Sequence, residues 1–309
     1  MSDNNFKIKR MEYLNNWPNV EPFEIEKQYY ENVKTLKSSR KTIFIPFLLK
    51  SEENSEYNKA ISFMIDAIEE LEKYPNYSFE FMFKAYDAFS KIVYFDNITD
   101  RNRWLCDNKW ALLIEDSSEL KDAIQLLLKL IPMKSCQYIY TRIYDRNSKA
   151  YTRVTKEIGG GRDNSNRKNI IESIENKYGY DYHIYSTSIR PASALYRYML
   201  KNEEIDVNGS KYTVSMCDKL HFIVSGYIYT LRNDTMHGNN ISITKSSKTK
   251  MSTYANNYYA FLFMYYLVII LMLDQYSSDY NVNKYKELAQ NIEQNVELYK
   301  ELFGNHTGR

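Results

Sequence analysis

The chain has 309 residues, 41 Lys plus Arg against 39 Asp plus Glu, a formal net charge of +2 and 44% hydrophobic residues. That length and apolar content are enough for a buried core and exclude a disordered chain, while the near-neutral charge means any nucleic-acid binding must use a local basic patch. Three cysteines, Cys106, Cys136 and Cys217, stand far apart with no CxxC pair, which argues against a disulfide framework or a structural zinc site and for reduced thiols.

Residues 1–21 form a polar lead-in without the apolar stretch of a secretory signal, so the cytoplasm is the expected location. Pro22, then FEIEKQYYENVKTLK with acids early and lysines late, predicts a helix aligned with its dipole. The run TIFIPFLL at 42–49 is β-branched and broken by Pro46, and fits an extended connector or the start of the next helix. Ala60, Phe63, Met64, Ala67, Ile68 and Leu71 make a helical stripe over 55–74. A further helix is predicted over 78–94 with Ser78 as its N-cap, and another at 119–131 capped by Ser118 and stopped by Pro132. No strand–helix alternation and no glycine-rich phosphate loop occurs in these first 130 residues.

The middle is less decided. YIYTRIY at 138–144 and YTRVTKEI at 151–158 fit a β-hairpin or two short helices, the second stopped by Gly159; helices are the expectation. GGGRDNSNRK at 159–168 is a basic loop, either solvated or touching RNA, and a short helix follows at 169–177. In IDVNGSKYTV at 205–214, Asn208-Gly209 between β-prone flanks predicts a hairpin. The almost wholly apolar YYAFLFMYYLVIILML at 258–273 falls short of the roughly 20 residues a spanning helix needs and has aromatics in its first half only, so a helix buried in a bundle or at a dimer interface is expected. An amphipathic helix at 284–302 ends the pattern.

Chemistry concentrates in LHFIVSGYIYTLRNDTMH at 220–237, followed by Gly238-Asn239-Asn240. Leu220, Ile223, Val224, Tyr227, Ile228 and Leu231 share one buried helical face, which places His237 in the last turn, where the helix dipole favours a protonated imidazole. Such a ring exchanges protons near neutral pH, and Arg232 supplies a permanent forked cation for phosphate oxygens. Five residues separate the two, so on a regular helix they point roughly 140° apart. They meet on one phosphate only if the last turn unwinds, as Asn233 and Asp234 would favour, or if a second copy of the motif faces the first. The alternative is a surface Arg and a helix-capping His.

The segment Arg232-Asn233-Asp234-Thr235-Met236-His237-Gly238, closing one apolar helix shortly before another, resembles the R-x4–6-H motif of the HEPN superfamily. The resemblance covers about fifty residues, 220 to 273, and FKAYDAFSKIVYF is loosely similar to the aromatic-rich first helices of some members. It implies a mostly α, HEPN-like helical bundle with additional helices and a small β-hairpin insertion. The expected organisation is an elaborated domain over 22–275, with its motif core at 218–273, then a C-terminal helix and tail over 276–309. It also implies dimerisation through the motif helices and metal-independent RNA cleavage to a 2′,3′-cyclic phosphate. Arg232 and His237 would be catalytic with Asn233 in support, in a toxin or defence role. Asn239 stands where toxin members often carry a Tyr that is modified for control, so that control is not implied.

Lys245, Lys248 and Lys250 follow the motif and either guide an RNA backbone or are simply solvated. The expected partners are RNA and a second copy of the chain, with room for a regulatory protein. DNA and membrane are not expected, and neither is a cofactor or a metal, since His183, His221 and His306 lack ligand-spaced neighbours. Against the enzyme stands a HEPN-like module that only binds nucleotides or proteins, which has no need to keep the Arg/His pair.

Overall fold

The chain folds as a mostly helical body with one two-stranded sheet in a computed structural model that describes residues 3–50, 53–93, 95–179, 185–236, 242–276 and 283–307. Helices α1 (Asp3–Asn16), α2 (Glu24–Arg40), α3 (Ser55–Glu70) and α4 (Pro75–Phe89) come first, so the polar lead-in is itself helical. Next are α5 (Ile98–Leu105), a π-helical turn (Cys106–Trp110), α6 (Ala111–Asp116) and α7 (Ser118–Lys129). The middle holds α8 (Met133–Ile143), α9 (Lys149–Thr155), α10 (Ser165–Tyr178), a second π turn (Tyr185–Ile189) and α11 (Arg190–Lys201). Strands β1 (Glu204–Val207) and β2 (Ser210–Thr213) precede α12 (Met216–Leu220), a longer π-helical stretch (His221–Ile228) and α13 (Tyr229–Met236). Two long helices close the chain, α14 (Met251–Gln275) and α15 (Lys284–Phe303).

Helix α14 organises the core. It is the one described helix long and apolar enough to cross a membrane, and its apolar window is entirely buried by the protein around it. A helix apolar on every face needs cover on every face. Here α4 is its main partner, with α2, α8, α15 and the Cys106–Trp110 turn around it. Much of that cover is tyrosine, whose hydroxyls need partners once buried. Backbone carbonyls serve several of them: Tyr258 donates to Ile43 at 2.7 Å, Tyr227 to Asn256 at 2.8 Å, and Tyr299 to Ala255 at 3.0 Å.

The connector at 42–49 is extended, and side chains take the place of a strand partner. Asn295 Oδ1 accepts from Ile45 N at 2.8 Å, Asn295 and Asn291 donate back to Ile45 O, and Phe47 N donates to the Tyr265 hydroxyl at 2.7 Å. Buried backbone groups are thereby paired without a sheet.

Several local expectations shift. Helix α4 begins at Pro75, which occupies the first turn where its missing N–H costs nothing, so Ser78 lies inside the helix rather than capping it. Ser117, not Ser118, caps α7, accepting from Leu120 N at 3.3 Å. The segment 138–158 is helical, as expected, but α9 stops at Thr155 and Gly159 sits in a turn beyond it with φ 78°. The glycine-rich segment is a short closed loop: Lys156 bridges Asp163, and Asn164 caps α10, which starts four residues earlier than the pattern suggested. The hairpin forms as predicted, with Asn208 and Gly209 both at positive φ, 55° and 84°, as a two-residue turn of this hand requires.

Candidate functional site

The motif helix is irregular, but not where the Arg/His spacing asked. Its π-helical stretch, His221–Ile228, is buried at every residue, whereas Arg232, Asn233 and Asp234 lie on regular α-helix continuing to Met236. A widened π turn displaces backbone bonds, and here a neighbour absorbs the displaced acceptor. Arg153, at the end of α9, donates through Nε to Ser225 O at 3.3 Å and through Nη2 to Thr230 Oγ1 at 2.6 Å. Its guanidinium lies 4.9 Å from the Tyr229 ring centroid. Arg103 and Arg167 take up the end of α9 itself, donating to Thr152 O at 2.9 Å and Val154 O at 2.7 Å. Arg153 thus ties the motif helix to α9, while Arg103 and Arg167 tie α9 to α5 and α10.

Arg232 is half-buried at the outer end of this helix. Its Nη1 donates to Asn233 Oδ1 at 3.1 Å, and its guanidinium lies 5.3 Å from the Phe83 ring centroid. A cation over an aromatic face with an amide at its edge has a defined orientation. It opens on a cleft of about 280 Å³ shared with Glu80, Lys84 and Asp87. His237 and Gly238-Asn239-Asn240 lie outside the described residues, as does His183.

On the other side of the same helix, past Leu231 and Thr235, is a larger groove of about 840 Å³. Arg10, Lys134, Arg142 and Lys248 bring four cationic side chains to it, against one carboxyl, Glu80. Glu80 borders both clefts, and burial raises its pKa. Among its cations Lys134 stands out: burial, with Lys250 adding repulsion, lowers its pKa to about 8, while its Nζ donates to Thr253 Oγ1 at 2.5 Å. An ammonium in that range loses its proton within reach of physiological pH. Asn76 presents a buried Oδ1 at the groove wall without a partner among the described residues. Asp234 accepts from the Tyr138 hydroxyl at 2.6 Å and forms an ion pair with Arg142, anchoring the motif helix to α8.

The three downstream lysines separate. Only Lys248 lines the groove. Lys245 turns inward to the Tyr13 hydroxyl at 3.0 Å and Glu26 at 3.8 Å, and Lys250 is the residue preceding α14. Lys156 and Lys168, beside the glycine loop, both pair with Asp163, and Arg167 is buried against Asp218, so the charges of that loop are largely engaged within the protein. The groove residues that pattern reading passed over had a signal. Lys134, Tyr138 and Arg142 recur every fourth residue and so form one polar stripe along α8.

Comparison of the chain with protein-family models, with curated proteins and with solved structures finds no match.

Proposed function

We propose that this chain is a cytoplasmic, metal-independent endoribonuclease that works as a homodimer, with Arg232 and His237 of two copies forming the reactive centre and Asn233 supporting it. The observation that carries the reading is the presentation of Arg232: a guanidinium at the end of the motif helix, oriented by Asn233 and the Phe83 face. In the proposed reaction, His237 of one copy takes the proton of an RNA 2′-hydroxyl, whose oxygen attacks the adjacent phosphorus. The P–O5′ bond breaks, and His237 of the second copy protonates the departing 5′ oxygen. Arg232 balances the charge that builds on the phosphorane oxygens. The products are a 2′,3′-cyclic phosphate and a 5′-hydroxyl. The groove bearing Lys134, Arg142 and Lys248 is suited to hold the flanking backbone by charge.

One observation favours a second reading, a nucleotide- or protein-binding module without cleavage. The large cationic groove has the volume of a nucleotide-sized pocket, and Arg232 opens on the smaller cleft instead. The experiment that decides is incubation of total RNA with the protein in EDTA, beside His237→Ala and Arg232→Ala. Cleavage lost in both variants upholds the nuclease. RNA left whole by the unaltered protein leaves the binding module.

A further inference from the structure

Eleven residues before Arg232, three side chains of different chemistry converge. Asp107, in the π-helical turn after α5, places Oδ1 at 2.7 Å from His221 Nε2 and 3.0 Å from Cys217 Sγ. All three atoms lie within 4.8 Å of one another. Cys217 is on α12 and His221 is the first residue of the following π-helical stretch, a spacing of four that puts both on one helical face. Along the chain Asp107 is 110 residues from Cys217, so only the fold brings a third ligand to the local Cys217/His221 pair, whose spacing of four the sequence reading passed over.

We propose that Asp107, Cys217 and His221 form a binding site for a divalent zinc-type ion that ties the base of the motif helix to the α5–α6 segment. The donor set selects the ion. A thiolate and an imidazole with one carboxylate suit borderline-soft Zn²⁺ or Co²⁺, whereas Mg²⁺ and Ca²⁺ want oxygen only. Geometry allows it with a small adjustment. Donors around a tetrahedral zinc lie roughly 3.3–3.7 Å apart given bond lengths of about 2.0–2.3 Å. The present 2.7 and 3.0 Å are hydrogen bonds in which protons on nitrogen and sulfur fill the space, and the ion replaces those protons. His221 Nδ1 has no partner among the described residues, and needs one equally in either tautomer, so it weighs neither for nor against the ion.

Two further observations support the site. Two of the three ligands, Asp107 and His221, sit on π-helical backbone, at Cys106–Trp110 and His221–Ile228, and such widened turns are frequent at functional positions. Burial is graded as a binding site needs: His221 is wholly buried, while Asp107 keeps 29% of its side chain exposed and Cys217 is half-buried. An ion can therefore be reached from the side of Asp107 and Cys217.

The proposal is independent of the ribonuclease reading. The cluster lies eleven residues up the helix from Arg232, roughly 15 Å at the rise of a helix, so the ion takes no part in the proton transfers. The test is titration of the chelator-treated, full-length protein with Co²⁺, followed by absorbance. The expected result is a near-ultraviolet thiolate-to-cobalt band that saturates at one ion per chain and is displaced by Zn²⁺. Cys217→Ser, nearly isosteric, abolishes the band with an unchanged circular dichroism spectrum. Asp107→Asn, at a partly exposed position, weakens affinity at least ~10-fold, the loss expected when a ligating group is impaired. Absence of the band in the unaltered protein, or its persistence in Cys217→Ser, overturns the site.

Discussion

Asn233 Oδ1 accepts from Nη1 of Arg232 at 3.1 Å, one residue along the same helix, so the amide and the Phe83 ring together orient the guanidinium. If Arg232 acts on phosphate, that orientation is part of the rate. Asn233→Ala is expected to slow RNA cleavage about tenfold, the order of one lost hydrogen bond to a charged group. Arg232→Lys is expected to behave like Arg232→Ala, because a point charge does not reproduce the fork. Single-turnover cleavage rates, with circular dichroism to confirm folding, check both. An unchanged rate in Asn233→Ala would remove the amide from the site.

Lys134 gives a pH signature. Its pKa of about 8 lies below the ordinary lysine value of 10.5, so the unfolded chain binds more protons between those two values and stability rises with pH across that window. Below about pH 8 the buried charge costs its full amount. Lys134→Met is therefore expected to be more stable than the parent by about 1–3 kcal/mol near neutral pH, with the difference narrowing towards pH ~10. Urea unfolding at several pH values measures it. A difference that does not vary with pH would show that the lysine is not held in a desolvated state.

Arg153 is expected to matter more to the motif helix than its distance from Arg232 suggests. It serves Ser225 O and Thr230 Oγ1 and covers Tyr229. Arg153→Met keeps most of the volume but leaves those acceptors short of a donor, an expected cost of about 2–4 kcal/mol. Faster amide hydrogen exchange confined to 221–236 would identify the motif helix as the element released. Faster exchange throughout the protein, with no local excess, counts against this.

Gly226 sits inside the π-helical stretch, and a Cβ placed there would come 3.1 Å from Val154 Cγ2. Replacing a helix-interior glycine by alanine gains roughly 1 kcal/mol of backbone preference, whereas crowding a packed core costs about 1–3 kcal/mol. Val154 is fully buried and cannot swing out, so the crowding wins. Gly226→Ala is expected to destabilise, and to do so less in a Val154→Ala background. A double-mutant cycle by thermal unfolding measures the coupling, and zero coupling would refute the close approach.

How much of this could be read in advance depends on the kind of signal. Apolar periodicity and turn chemistry are local, so the stripe through Ala60 and Met64, the buried run ending at Leu273 and the Asn208-Gly209 turn were all legible. Helix starts were less so. Ser78 and Ser118 are good capping residues with a better neighbour, Pro75 and Ser117, and only the three-dimensional path decides between them. The π-helical stretch at His221–Ile228 was hidden because Leu220, Ile223, Val224, Tyr227 and Ile228 fit the helical period well, while every residue between them is buried too. Arg153, which donates to its Ser225 carbonyl, lies on another helix 72 residues away. The same non-locality hid the Asp107–Cys217–His221 cluster and the inward turn of Lys245 to Tyr13 and Glu26.

The surroundings of α14 bear on how the protein is made. Part of its cover comes from α15, through Tyr299 on the Ala255 carbonyl and Phe303 against Tyr258, and α15 is synthesised later. At ~5–20 residues per second, a ribosome holds a long, all-apolar helix with one side bare for a few seconds before its lid exists. During that interval the nascent chain presents the surface that targeting factors and chaperones read. Premature termination just after Gln275 would make the interval permanent, and the expected fate of such a fragment is capture or aggregation rather than a partly active protein.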